Sequence, residues 1–169
     1  MGRVKELVLG DIPTELGHTR RLLQAVPDER FDWKPHKKSW HVGGLANHLS
    51  QLPVWQAMVL ESDGLDLGAM PPSPEAPTSM PAVLAQFEEN CARLHAAVDE
   101  TTDESLSETW TLRMGDHEIM SGPRGVVLRQ VGVSHAAHHR GQLTVFLRLL
   151  DVEIPQTYGP TADHPGGFG

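Results

Sequence analysis

Between Val4 and Val26, the residues Leu9, Ile12, Leu16, Leu23 and Val26 recur at helical spacing, which predicts a first amphipathic helix that stops at Pro27 and bends at Pro13. A second helix is predicted from Ser39, a good N-cap residue, to about Glu61. Leu45, Leu52, Trp55 and Val59 share one face of it, and Pro53 is expected on the opposite side as a kink. Residues 62–79 hold four prolines and two glycines with no period, so they predict a loop long enough to cross the molecule. Ser79 then caps a third helix with Met80, Val83, Leu84, Phe87, Cys91, Leu94 and Val98 as its stripe. From Thr109 to Met120 the chain alternates modestly around Gly115 and Asp116, which predicts a small β-hairpin. A fourth helix follows from Arg124 to about Leu150, and the glycine- and proline-rich tail from Gln156 onward is expected to lie across the surface.

Helices of roughly 20 residues with one apolar face each pack most simply as a four-helix bundle. The expected fold class is therefore all-α, a single domain over residues 1–169, with the long second connection favouring a crossover order. A chain of this length buries about 70% of its unfolded surface, enough for a real core.

Composition narrows the function. No apolar run reaches the ~18 residues of a membrane span, and the charged start, Met1 to Gly10, lacks the apolar stretch of an export signal, so a cytoplasmic protein with no membrane partner is expected. A formal charge of −8 without a basic cluster opposes nucleic-acid binding. The single cysteine, Cys91, excludes an internal disulfide and any site built from several thiolates, so a metal must be held by nitrogen or oxygen. Cys91 falls within the third helix's stripe and reads as a small hydrophobe.

The stretch "SHAAHHRGQL", residues 134–143, carries the candidate chemistry. At 100° per residue, His135 and His139 differ by only about 40° and rise about 6 Å, which lets both rings reach one ion. Their face, counted along the fourth helix, also carries Leu128, Val131, Gln142, Phe146 and Leu149, so the histidines interrupt an apolar stripe. His48 interrupts the stripe of the second helix in the same way. His41 shares that face two turns earlier, about 10 Å away, and is left at the rim. His138 is a competitor to His139 with poorer alignment.

Singly, each histidine is better explained as a core or boundary imidazole bonded to a backbone carbonyl. Three on converging faces form a candidate ligand set, His48, His135 and His139, whose neutral nitrogens suit zinc, nickel, copper or ferrous iron and leave a position open. The residue after His135 is Ala136, so the glutamate base of zinc proteases is missing. Di-iron carboxylate bundles need two Glu-x-x-His pairs, and only Glu15 and His18 supply one, with His18 off the first helix's stripe. Gln142, one turn after His139, is the candidate catalytic side chain, placed to hydrogen-bond water on the ion or to orient a substrate. Arg140 turns away from the stripe and reads as a surface or interface charge to which the tail could bring a carboxylate, and Asn47 as either a solvated amide or an acceptor behind a ligand.

Taken together, "SWHVGGLANHL", "HAAHHRGQL", "FDWKPHKKSW" and "IPQTYGPTAD" resemble the DinB-like (YfiT-type) family of metal-binding four-helix bundles. The resemblance implies an up-down-down-up bundle, frequently a homodimer, with a divalent ion on three histidines. At the matching positions these are His48, His135 and His139. Some relatives are similar to thiol S-transferases that use mycothiol, bacillithiol or glutathione, and another isomerises maleylpyruvate. Where relatives often carry an acidic residue after "AD", this chain has His164, which reads as a solvated tail histidine. The resulting expectation is a metal-dependent enzyme of the thiol S-transferase type acting on a small electrophile, with zinc or nickel (or iron) and a low-molecular-weight thiol as cofactors. The alternatives are a metal-dependent hydrolase and a non-catalytic metal-binding stress-response protein.

Overall fold

The computed structural model describes residues 2–166. The chain is mostly helical with a small three-stranded sheet. The first predicted helix is two: α1 (Arg3–Leu9) and α2 (Ile12–Gln24). The break falls at Gly10 and Asp11 rather than as a bend at Pro13, because Pro13 sits in the first turn of α2, where its missing N–H costs nothing.

Helix α3 (Val42–Glu61) starts later than Ser39 predicts. His41 is its N-cap, its Nδ1 accepting the Gly44 N–H at 3.0 Å. Pro53 is buried, not on the outer side: the core face of α3 runs through Leu45, Leu49, Leu52, Pro53 and Gln56. Helix α4 (Met80–Glu100) is capped by Ser79 as expected, and Met80, Val83, Phe87, Cys91 and Leu94 are buried. Helix α3 packs on α4 and α7 (His135–Leu149), and α2 packs on the same two.

The connection after α3 holds a short strand, β1 (Gly64–Asp66), and a 3₁₀ turn, Leu67–Ala69. After a five-residue helix, α5 (Asp103–Ser107), strands β2 (Thr109–Met114) and β3 (His117–Pro123) form the predicted hairpin. Gly115 takes φ +59° at the first turn position, as a type II′ connection requires. β1 adds to β2 in parallel, Gly64 opposite Thr111, and Asp66 Oδ1 accepts the Gly115 N–H at 3.0 Å. β1 is an addition to the expected bundle with its hairpin. Trp110 of β2 is buried and its Nε1 donates to Ser62 Oγ, while buried Arg124 donates to the carbonyls of Leu60 and Ser62 and so caps the end of α3.

From Arg124 the backbone stays helical to Leu149, but in three registers: α6 (Arg124–Leu128), a π-helical turn (Arg129–Ser134) and α7. A π turn carries one residue more than the α turn it replaces, so everything after it is advanced by about 100°. In unbroken α geometry His135 would share the inward face of Leu128. With the extra residue Ala136 takes that place, and the buried residues of α7 become Ala136, His139, Arg140, Leu143 and Leu147. Leu149, expected in the core, is exposed, and Val131 and Phe146 are half-buried.

Two further expectations are overturned. Arg140 is buried, 2% exposed, and donates to Glu15 Oε2, to Tyr158 Oη, to the Glu15 carbonyl at 3.1 Å and to Thr19 Oγ1 at 2.8 Å. His18 is also buried, its ring against Tyr158. The π turn aims Arg140 inward, and the tail, whose described part packs back on the helices, covers both residues: Ile154 is buried, Tyr158 donates to Glu15, and Asp163 holds Arg148 and the Ile154 N–H. Among the described residues no helix is long and apolar enough to cross a membrane.

Candidate metal centre

His48 stands near the middle of α3, and His135 and His139 occupy the first two turns of α7, which packs against it. The π turn moves His135 off the innermost face, and the three rings meet where the two helices pack. His139 is 9% exposed and the other two are half-buried. The His135 Nε2 is 2.8 Å from His139 Nε2 and 3.3 Å from His48 Nε2, and one donor atom from each residue lies within 4.8 Å of the others. A tetrahedral zinc with bonds of about 2.0–2.1 Å spaces its nitrogens by roughly 3.3–3.4 Å, so small ring rotations bring this cluster to ligand geometry.

The far side of two rings fixes their tautomer. His139 Nδ1 is 2.7 Å from Gln142 Oε1, and His135 Nδ1 is 3.3 Å from the Val131 carbonyl. Both partners are acceptors, so each Nδ1 carries the proton and each Nε2 turns a lone pair toward the cluster. Burial, with the His139 and His135 rings adding, pushes His48 down to about 4, and burial also lowers His139. Both shifts favour the neutral ring, the form that binds a metal. Lone pairs facing one another at such distances repel unless a cation lies between them. The donor set thus fits a divalent ion held by three imidazoles, and among the described residues it is the one group of three or more histidine, cysteine or carboxylate donors so placed.

The other candidates fall outside this group. His138 is exposed, its ring 4.9 Å from that of His139. His41 is engaged as the α3 cap, and His164 is exposed with its Nε2 3.1 Å from Glu153. Asn47 accepts from Gln86 Nε2 at 2.9 Å, on the α4 side. Cys91 is buried, and desolvation pushes its thiol up to about 12. Sequence reasoning missed Trp40, whose ring lies against both His48 and His139. The π turn was missed too, since no periodicity marks it.

The DinB family model matches residues 5–166. The chain belongs to the DinB family. It is 27% identical over 158 residues to protein YrdA of Bacillus subtilis strain 168, covering 92% of this chain and 88% of that one. Among solved structures, a DinB-like protein of Bacillus cereus ATCC 10987 superposes with a TM-score of 0.67 at 22% identity, over 90% of this chain and 97% of its own. The DinB-like protein YjoA of Bacillus subtilis gives 0.67 at 15% identity over 89% and 97%. A DinB-family protein of Exiguobacterium sibiricum 255-15 gives 0.63 at 17% over 92% and 97%. At these identities the likeness to the solved structures is one of fold.

Proposed function

We propose that this DinB-family protein binds a divalent metal ion through His48, His135 and His139 and is a metal-dependent enzyme of the thiol S-transferase type acting on a small electrophile. The observation that carries the metal site is the convergence of three Nε2 atoms, two of them with the opposite nitrogen already committed to an acceptor. Nitrogen donors of this kind suit zinc or nickel, and ferrous iron as well. When bound, the ion supplies a Lewis-acid position that favours the deprotonated form of a coordinated thiol or water.

The protein's own residues do the rest. Gln142 accepts the His139 Nδ1 proton and holds that ring's orientation, so we place it as a positioning residue rather than beside the reacting atoms. No side chain is needed as nucleophile, since a small thiol brings its own sulfur. Metal-assisted hydrolysis and a non-catalytic metal-binding role are the alternatives to the transferase. The same proposal reads the pairing of α2 and α3 with α4 and α7 as an up-down-down-up four-helix bundle and takes the working unit as a homodimer.

Elemental analysis of protein purified without an affinity tag tests the site, with about one divalent ion per chain expected and loss of it in His48→Ala, His135→Ala and His139→Ala. A transferase additionally requires that His139→Ala leave the melting of the metal-free fold unchanged while abolishing turnover of an electrophile with a thiol. Wild-type protein with no bound metal refutes the proposal, and unfolding on chelation without thiol binding favours the structural role.

A further inference from the structure

Trp40 is 52% exposed although it lies against the metal centre. Its ring is nearly parallel to that of His139, with 22° between planes and 5.8 Å between centroids, and it meets His48 edge-on at 5.1 Å. One indole therefore spans ligands from both helices and keeps a large apolar surface open beside them. The segment that carries it is pinned on both sides. Before it, Ser39 N–H donates to the His36 carbonyl at 2.9 Å; after it, His41 caps α3, and Val42 N–H donates to the Trp33 carbonyl and Gly43 N–H to the Phe31 carbonyl, both at 2.9 Å. A molecule stacking on this ring has no loop to order, which removes one cost of binding.

Charge narrows what that molecule is. Three neutral imidazoles leave the charge of a divalent ion uncompensated, and among the described residues no carboxylate joins the ligand group. An anionic donor is the complement.

We propose that Trp40 is the specificity wall of the site, so that the site takes a small molecule whose anionic donor reaches the ion and whose planar apolar body stacks on the open indole face. This rests on the metal-centre reading above. Offset or edge-to-face aromatic contacts favour a ring over an aliphatic stub by roughly two- to tenfold in affinity beyond the area buried.

The test uses the full chain loaded with cobalt(II), titrated with 2-phenylethanethiol, 2-cyclohexylethanethiol and ethanethiol while the visible cobalt spectrum is followed. The phenyl thiol is expected to bind several-fold tighter than the cyclohexyl thiol and at least tenfold tighter than ethanethiol. Trp40→Ala should compress the three affinities to within about threefold while its cobalt spectrum before thiol addition stays that of the wild type, and Trp40→Phe should restore part of the preference. Equal binding of all three thiols by the wild type, or an undiminished preference in Trp40→Ala, overturns this inference and leaves the metal centre standing. A chain that takes up no cobalt overturns both.

Discussion

Replacing Arg140 with methionine removes the charge of a guanidinium whose side chain is 3% exposed while keeping most of its volume. What remains is Glu15, 13% exposed, which has lost its cation but keeps the Tyr158 hydroxyl as donor, together with a Thr19 hydroxyl and a Glu15 carbonyl that have each lost a donor. Stranding one member of a buried pair costs about 3–5 kcal/mol, and the surviving Tyr158 bond argues for the low end, about 3 kcal/mol. For a domain of this size that corresponds to a fall of roughly 6–12 °C in melting temperature. Urea denaturation of metal-free protein followed by circular dichroism measures it, with the midpoint moving and the slope unchanged. In the double variant Arg140→Met with Glu15→Leu, the stranded carboxylate is gone and most of the loss should return, giving a coupling of 1 kcal/mol or more. If Arg140→Met alone lies within 1 kcal/mol of the wild type, the pair is no buried brace and the reasoning fails.

Gln142→Leu deletes the acceptor on His139 Nδ1 at an exposed position, so it should weaken metal affinity about 10- to 100-fold with the melting of the metal-free protein unchanged, as competition against a chelator of known affinity would show. An affinity within twofold of the wild type would remove Gln142 from the site. Asp163 is held below the ordinary carboxylate range by Arg148, with the Ile154 N–H adding. A carboxyl lowered in this way contributes above its unfolded value near 3.8 and loses that contribution as the pH falls through the depressed value, so the tail clasp should be constant from neutral pH to about 4 and loosen below. Asp163→Asn should show the loosened state already at pH 7, as faster hydrogen exchange at the Ile154 amide; equal exchange rates would contradict it. The buried Cys91 thiol, pushed up to about 12, should react with a maleimide far more slowly in the native protein than in guanidinium, and equal rates would place it at the surface.

The long helices were legible because each repeats an apolar residue every three or four positions, and the Gly115–Asp116 turn because its chemistry is local. His48, His135 and His139 were picked out by the same counting. The counting then failed at one place, the π turn at Arg129–Ser134, and a single error of about 100° accounts for two misreadings at once. Arg140 went to the surface and Leu149 to the core. The rest was non-local. The three residues of β1 are too few to show alternation, and nothing near Glu15 or His18 in the chain announces that Tyr158 will cover them.

That widened turn makes segment length, and not only residue identity, a constraint on the chain. Rewinding that turn to ordinary α geometry at unchanged length would swivel the entire C-terminal portion, swinging Leu143 and Leu147 toward water and driving His135 into the oily centre in place of Ala136. Deleting one residue between Arg129 and Ser134 removes the surplus together with the widening, so Ala136 becomes the seventh residue after Leu128 and the faces beyond keep their directions. A substitution that straightens the turn without shortening it would therefore impair both packing and ion capture even though every ligand codon survived. Mutagenesis or design around this centre has to match the winding to the count of residues there before it considers their kind.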